Sequence, residues 1–375
     1  VIAYWILVSL ALLLAVLSLR GDRAKALHTM KWLEREAWNA ELDPATVIVP
    51  IKGFDDGLAA NLAALAALNY PDHELIVVAK SDADVEPGVV PPSARLVIAG
   101  DGDPNTGEKI NNLLAAVAAA RPESRVFAFA DSDGRVGADW LRSLVIALEE
   151  PGAGASTGYR WHLPHPPSFW SLVRSVWNSA IAGSLGPGDN AFAWGGATAI
   201  RRETFEKAKV ATYWKGTISD DFRLAEAVHA AGLQIIYTPG ALVVSSDRTS
   251  ASEFFGWIKR QLVITRVYSP KLWRLGLFAH IVYCSAMAAS IYLSWEGSTF
   301  AGEYMLVAQL GLGMLKGMNR SAIAKSALPG YKTWFDSYSW VLIWWVPFVT
   351  WIWLWAFLAS ATTKTVRWRG YRYEL

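Results

Sequence analysis

Apolar and polar positions are distributed unevenly along the chain. Residues 1–19 (VIAYWILVSLALLLAVLSL) carry no charged side chain, a run long enough to predict a helix that crosses a bilayer. From about 40 to 260 the pattern changes to short apolar runs bounded by polar loops. Val47-Ile48-Val49-Pro50, Glu74 to Ala79, Arg95 to Ile98 and Val126 to Ala130 read as strands, and Leu58 to Leu68 and Lys109 to Ala120 have helical spacing. Strands alternating with helices predict an α/β fold with a mostly parallel sheet. Long apolar stretches return at 275–295, 302–318 and 338–360. Pro347 interrupts the last, which predicts a broken or re-entrant pair of helices tolerated where it packs against protein.

This pattern divides the chain into an N-terminal transmembrane helix (1–20), a soluble α/β region (21–250), an interfacial helix region (251–274) and a C-terminal membrane region with a basic tail (275–375). Arg20, Arg23, Lys25 and Lys31 follow the first apolar run and place the next region in the cytoplasm. A cleaved signal peptide would carry its positive charge before the run rather than after it. If all three later segments crossed the membrane, the basic end TKTVRWRGYRYEL would lie outside, so one of them is expected not to cross fully. The expected location is the cell (inner) membrane, multi-pass, with the α/β region cytoplasmic.

Composition agrees with this division. Hydrophobic residues make up 53% and charged residues 18%, against about a quarter charged in ordinary soluble domains. The 20 tryptophans suit a membrane interface. A formal charge of +2 without a basic stripe gives no basis for nucleic-acid binding. Cys284, the only cysteine, excludes a disulfide framework and a cysteine zinc site. No Gly-x-Gly-x-x-Gly follows the first strand, which argues against a nicotinamide-binding domain.

The candidate chemistry is acidic and sits at strand ends, where open α/β sheets bind ligands. Asp131-Ser132-Asp133 ends the fourth predicted strand. Two alternating carboxylates suit a hard divalent cation, and Mg²⁺ usually takes one or two carboxylates plus substrate phosphates. A nucleotide-sugar diphosphate needs such a charge as it leaves. Ser81-Asp82-Ala83-Asp84 has the place to hold a base and ribose, or is a plain solvated turn. Asp220-Asp221 follows Ser219 and starts a helix. Acids are favoured there by the helix dipole, and one of them also suits a general base for an acceptor hydroxyl. Trp194-Gly195-Gly196 follows a loop containing Gly186, Gly188 and Asp189, and paired glycines permit close backbone approach or mark a bulge. Ser168 to Leu185 is amphipathic and reads equally as a packed core helix or an interfacial one.

Five stretches together resemble the ceramide glucosyltransferases and their bacterial relatives within the family-21 and family-2-like glycosyltransferases. They are Pro50-Ile51-Lys52-Gly53 with Asn61-Leu62; Lys109-Ile110-Asn111-Asn112-Leu113; Asp131 to Val136; Gly195 to Arg202; and Ser219-Asp220-Asp221-Phe222. The resemblance implies a GT-A fold and an inverting transfer of a hexose, glucose favoured, from a UDP-sugar to a lipid hydroxyl such as ceramide. It implies a divalent cation, Mg²⁺ or Mn²⁺, at Asp131 and Asp133. Donor binding is then expected at Lys52, Asp82, Asp84, Lys109, Asn112, Asp131, Gly195, Gly196 and Gln261. Asp221 is the expected base, with Asp220 supporting it by helping to start the helix. The family's Gln/Arg-x-x-Arg-Trp motif corresponds to Trp257-Ile258-Lys259-Arg260-Gln261. Arg260 fits its arginine as a catalytic residue, while Trp257 and Gln261 differ from its outer positions. The expected partners are the nucleotide sugar and the lipid acceptor, with no protein partner. The alternatives are a polymerising polysaccharide synthase, a polyprenyl-phosphate glycosyltransferase, and an inactive membrane scaffold.

Overall fold

The apolar runs of the middle region form a sheet in the computed structural model, which describes residues 2–34, 42–186 and 192–375, with the backbone alone described at Arg367 and Trp368. Gly188 and Asp189 of the expected glycine loop lie outside the described residues. The chain falls into two compact units. One comprises His28–Trp161 and Leu185–Ser246, and the other Val1–Leu27, His162–Ser184 and Asp247–Leu375. The segment His162–Ser184, inside the expected 21–250 region, therefore groups with the membrane helices.

The strands are β1 (Ala45–Pro50), β2 (His73–Ala79), β3 (Arg95–Ile98), β4 (Val126–Ala130), β5 (Ala153–Thr157), β6 (Arg160–His162), β7 (Ala197–Arg201), β8 (Gln234–Tyr237) and β9 (Val243–Ser245). Seven make one sheet in the order β3-β2-β1-β4-β7-β5-β8, and β6 pairs with β9 separately. Neighbours in the large sheet are parallel except at β7, which runs antiparallel to both β4 and β5. Alternate residues of the central strands enter two different cores. Val47, Val49, Val77, Ala128 and Ala130 face one, while Ile48, Ile76, Val78, Phe127 and Phe129 face the other. A sheet covered on both faces needs apolar residues at successive positions, which is why these strands read as unbroken runs. Because β1, β2 and β4 are parallel, their carboxyl ends, and the polar loops after Pro50, Ala79 and Ala130, emerge along one edge.

The other unit is helical. Helix Ile2–Leu33 presents Val8, Ala11 and Ala15 inward, and the same stripe continues as Asp22 and Lys25, the heptad-like seam of a packed helix. Val8 and Ala11 pack on Val282 and Ala286 of helix Pro270–Trp295. These two helices are long and apolar enough to cross a membrane, and Pro329–Trp344 with Val346–Ala361 forms a third apolar element bent by 65°. The bend falls at Trp345-Val346-Pro347, where the proline predicts a break. Helix Met305–Ala327 carries Lys316, Arg320 and Lys325 and is not among the helices that pass as spans. Helix Phe169–Ala182 is largely packed. Trp177 is buried and stacks on Trp353 at 3.9 Å, and Arg174 bonds Asp247 at 2.8 Å. Leu275, Phe278, Ile281, Phe348, Trp351 and Trp355 remain exposed on the long helices, an apolar surface too extensive for water and suited to lipid.

Candidate active site

Within the sheet unit, the ends of β4 and of the Ser219 turn converge on one ammonium. Lys109 Nζ donates to Asp131 Oδ1 at 3.0 Å and lies 3.0 Å from Asp220 Oδ2. Burial works against the lysine's charge, but Asp131 and Asp220 outweigh it and hold the ammonium above the ordinary lysine range. Lys109 is the second residue of helix Glu108–Ala119, whose amphipathic pattern buries Ile110, Asn112, Leu113 and Ala116. Lys52, after β1, pairs with Glu108 at 2.9 Å and ties that helix start to the first strand's loop. Lys52 thus lies at the border of the cluster. Asn112 is 3% exposed, and its Oδ1 has no hydrogen-bond partner among the described residues.

The Asp131-Ser132-Asp133 loop is held by several bonds. Ser132 donates to Asp55 Oδ2 at 2.6 Å, Asn61 Nδ2 to the Ser132 carbonyl at 2.9 Å, and Ser245 to the Asp133 carbonyl at 2.9 Å. Arg135 Nε in turn donates to Asn61 Oδ1 at 2.9 Å. Asn61, Arg135 and Asp131 to Asp133 belong to the stretches singled out in the sequence, so part of that pattern holds the loop rather than a ligand.

Arg160, at the start of β6, is the residue the sequence did not single out. Its Nη1 donates to Asp133 Oδ2 at 2.8 Å and its Nη2 lies 3.1 Å from Asp131 Oδ2, with a further short contact to Asp133 Oδ1. Its guanidinium also sits 5.0 Å from the centre of the Trp194 ring, within cation–π range. No motif spacing links residue 160 to 131. Only the pairing of β6 with β9, beside the isolated bridge from Arg135 to Val244, brings them together.

Gly195 and Gly196 close over the same carboxylates. A Cβ on Gly195 would stand 2.1 Å from Asp220 Oδ2 and 3.1 Å from Lys109 Nζ, and one on Gly196 would stand 2.6 Å from Asp131 Oδ2. The paired glycines therefore serve a close approach, Gly195 to Asp220 and Gly196 to the Trp194 ring, at 2.4 Å from such a Cβ, and to Asp131.

The two neighbouring aspartates divide their tasks differently from the expectation. Asp220 was expected to help start helix Asp220–Ala230. Its carboxylate instead turns inward to Lys109, and the residue is 7% exposed. Ser219 caps the helix, and Asp221 Oδ1 accepts from the Phe222 amide at 2.7 Å and from the Ser219 hydroxyl. The physical reason is that a lysine between two acids recovers more than a solvated helix end does. Burial and the adjacent Asp220 charge raise the Asp221 carboxyl to about 6, against the Ser219 hydroxyl, Lys109 and the Phe222 amide. A carboxylate with a raised value in the first turn of a helix is suited to take a proton near neutrality.

Asp82 and Asp84 lie in a short 3₁₀ turn at the end of β2, with Ser81 donating to Asp84 Oδ2 at 2.8 Å and Gly53 N–H to the Asp84 carbonyl at 2.8 Å. Asp82 is exposed. They share the strand-end edge with Lys52 and stand apart from the hydrogen bonds of the Lys109 cluster among the described residues. Arg260 and Gln261 are half-buried on helix Ala251–Tyr268 of the helical unit.

Among the described residues, Lys109 and Arg160 face Asp131, Asp133, Asp220 and Asp221, two cations against four carboxylates. That deficit of two positive charges matches one divalent ion. No group of three or more acidic, histidine or cysteine side chains is poised to hold an ion by itself among the described residues. The set fits an ion that takes one or two carboxylates and completes its shell with water and phosphate oxygens.

No curated protein matches the chain. Among solved structures it is similar to the mannosyltransferase PcManGT from Pyrobaculum calidifontis in complex with GDP-Man and Mn²⁺, at 17% identity over 95% of this chain and 97% of that one, with a TM-score of 0.52. Less similar are a mycobacterial protein (15% identity, 65% of this chain and 78% of that one, TM-score 0.39) and GalNAc-T7 with UDP, GalNAc and Mn²⁺ (10% identity, 58% and 48%, TM-score 0.40). The fold is that of the GT-A glycosyltransferases, with a mostly parallel sheet and apolar helices long enough to span a membrane. The sequence model of glycosyl transferase family 21 matches residues 4–375, and the chain belongs to that family of glycosyltransferases.

Proposed function

We propose that this glycosyltransferase moves a hexose, glucose favoured, from a UDP-sugar to a hydroxyl of a membrane lipid such as ceramide, with inversion at the anomeric carbon. The observation that carries the reading is the placing of Asp221, with its raised pKa, beside the Lys109–Asp220 pair that reaches Asp131. A poorly nucleophilic hydroxyl needs a carboxylate to take its proton, and Asp221 is the one acid of the pair not neutralised by Lys109. As the acceptor oxygen bonds to the anomeric carbon, the bond from that carbon to the diphosphate breaks on the opposite face. The proton passes to Asp221 and the electron pair leaves with the nucleoside diphosphate. Lys109 and Arg160 keep the loop carboxylates fixed and supply positive charge near the leaving group. A divalent cation, held by Asp131 and Asp133, would neutralise the charge developing on that diphosphate. The roles of Lys52, Asp82, Asp84, Asn112, Gly195, Gly196 and Gln261 in donor binding, and of Arg260 toward the acceptor, belong to the same proposal.

The apolar helices support a lipid acceptor and a multi-pass protein. Arg20, Arg23, Lys25 and Lys31 after the first apolar run support a cytoplasmic catalytic unit in the cell (inner) membrane. The test is to incubate the purified protein with a panel of nucleotide sugars and membrane lipids and to analyse the lipid product by mass spectrometry and NMR. The proposal expects a β-linked monohexosyl lipid from an α-linked UDP-hexose. An α-linked product, or a polymer, would overturn it.

A further inference from the structure

Contacts within the helical unit fix how deep each apolar segment reaches. Helix Ile2–Leu33 sets two levels. Tyr4 meets Ser290 Oγ at 3.1 Å and donates to the Ala301 carbonyl, while Asp22 Oδ1 accepts from Arg320 Nε at 3.3 Å. Tyr4 and Asp22 are about 27 Å apart along an α-helix, close to the roughly 30 Å of a bilayer's hydrocarbon. Helix Met305–Ala327 reaches both levels, because its Gln309 Nε2 donates to Ser290 Oγ at 3.0 Å and its Arg320 pairs with Asp22.

The bent pair Pro329–Trp344 and Val346–Ala361 lies along two of these helices. Its second arm runs antiparallel to helix Pro270–Trp295. Trp273 Nε1 donates to Ser360 Oγ at 2.9 Å, the Phe357 ring stands where a Cβ on Gly276 would point, Trp353 stacks on His280 at 5.5 Å, and Trp351 Nε1 donates to Met287 Sδ at 3.2 Å. Its first arm runs antiparallel to helix Met305–Ala327. Lys325 pairs with Asp336, Ser321 Oγ donates to Ser339 Oγ at 2.9 Å, the Leu342 carbonyl lies against Gly317, and Pro347 lies against Gly313. Both ladders end at the bend. Beyond it remain 288–295 of one helix and 305–312 of the other, about 12 Å of helix in each case. The far end of the second arm comes back to the start of helix Pro270–Trp295, where Arg266 donates to the Ala361 and Thr363 carbonyls at 2.5 and 2.6 Å.

We propose that 329–361 is a re-entrant hairpin. It enters the hydrocarbon from the face on which Ser269 and Leu328 lie, turns at Trp345-Val346-Pro347 and leaves by the same face, and helix Met305–Ala327 makes the third crossing. That helix is less apolar than the other two because of its cations, of which Arg320 and Lys325 are paired with Asp22 and Asp336. Trp340, Trp344, Phe348, Trp351 and Trp355 are exposed on the hairpin, a surface that lipid covers. Charge agrees with this path. Arg20, Arg23, Lys25 and Lys31 follow the first span, Lys332 starts the hairpin and Lys364 to Arg372 follow it, whereas 296–304 on the opposite face holds Glu296 and Glu303 and no lysine or arginine. Only the name of the hairpin's face, cytoplasmic, rests on the reading under Proposed function; the shared face of its two ends does not.

The experiment labels single cysteines in the full-length protein, in a Cys284→Ala background, with a membrane-impermeant maleimide applied to cells before and after permeabilisation. Glu296, Gly330, Phe348 and Lys364 are all exposed. Gly330→Cys and Lys364→Cys are expected to label alike, at least tenfold more after permeabilisation, while Glu296→Cys labels before it and Phe348→Cys labels in neither state. Reversal of the whole pattern would keep the hairpin and refute the cytoplasmic reading alone. Labelling of Gly330→Cys and Lys364→Cys from opposite faces would overturn the proposal, as would a shared face for Gly330→Cys and Glu296→Cys. The double variant Ser321→Cys with Ser339→Cys is expected to close a disulfide under a membrane-permeant oxidant. A folded double variant that stays reduced would remove the register on which the hairpin rests.

Discussion

Lys109 and Asp220 meet at 3.0 Å, and through the same ammonium Asp220, at a helix start, is tied to Asp131 at the end of β4. The contact makes Lys109 the joint between the loop proposed for the diphosphate and the helix that presents Asp221. Lys109→Met should leave Asp220 buried without its cation and Asp131 with Arg160 alone. Removing one partner of a buried pair costs about 3–5 kcal/mol, so thermal or denaturant unfolding should show a loss of that order, with transfer falling at least about 10²-fold. A folded Lys109→Met variant with wild-type stability and turnover would show that the joint is dispensable.

The glycine pair gives a sharper test of geometry. Gly195→Ala places a methyl 2.1 Å from Asp220 Oδ2, and Gly196→Ala places one 2.4 Å from the Trp194 ring and 2.6 Å from Asp131 Oδ2. Neither carboxylate can withdraw without leaving its cation. Overpacking of this kind costs about 1–3 kcal/mol, and both variants should stay folded by circular dichroism while binding nucleotide sugar at least about tenfold more weakly. Wild-type affinity in a calorimetric titration would count against the cradle.

The raised Asp221 carboxyl sets a direction for the pH profile. A group lifted to about 6 is protonated below that pH and cannot accept a proton, so kcat/KM should fall as pH drops through about 6 and level off above it. Wild type should show that acid limb, and Asp221→Glu should keep a limb at a shifted position. An acid limb that persists unchanged in Asp221→Asn would assign the titration to another group.

Charge balance predicts metal dependence. Four carboxylates facing two cations leave a deficit that a divalent ion fits, so chelation should abolish transfer and Mg²⁺ or Mn²⁺ should restore it. Arg160→Gln removes a cation that touches both loop acids. Mn²⁺ binding without nucleotide, followed by electron paramagnetic resonance, should then tighten about tenfold, about 1.4 kcal/mol of relieved repulsion. Full activity in excess chelator would refute the metal role.

Much of the sheet was legible in the sequence because β1, β2 and β4 are buried on both faces, and such strands announce themselves as apolar runs. The parallel arrangement then put Asp131, Asp133 and the Asp82 turn on one edge by rule. The reversal at β7 was not legible. Ala197–Arg201 has the composition of any buried strand, and direction depends on the long connection before it. Pro347 did mark the bend between Pro329–Trp344 and Val346–Ala361. Arg160 was invisible because its partners lie 27 and 29 residues away with no periodic relation. The division between Asp220 and Asp221 was equally hidden. Adjacent acids at a helix start look alike until tertiary structure supplies a lysine to one of them.

The central claim is that Asp221 takes the acceptor's proton, and the most direct measurement is the turnover of Asp221→Asn with donor binding followed in parallel. Asparagine keeps the shape and still accepts the Phe222 amide hydrogen bond, but it takes no proton. The account predicts that lipid glycosylation falls by about 10²- to 10⁴-fold while nucleotide-sugar affinity stays within about threefold of wild type. Near-normal turnover in Asp221→Asn, or a larger loss of turnover in Asp220→Asn with its donor affinity intact, would contradict it.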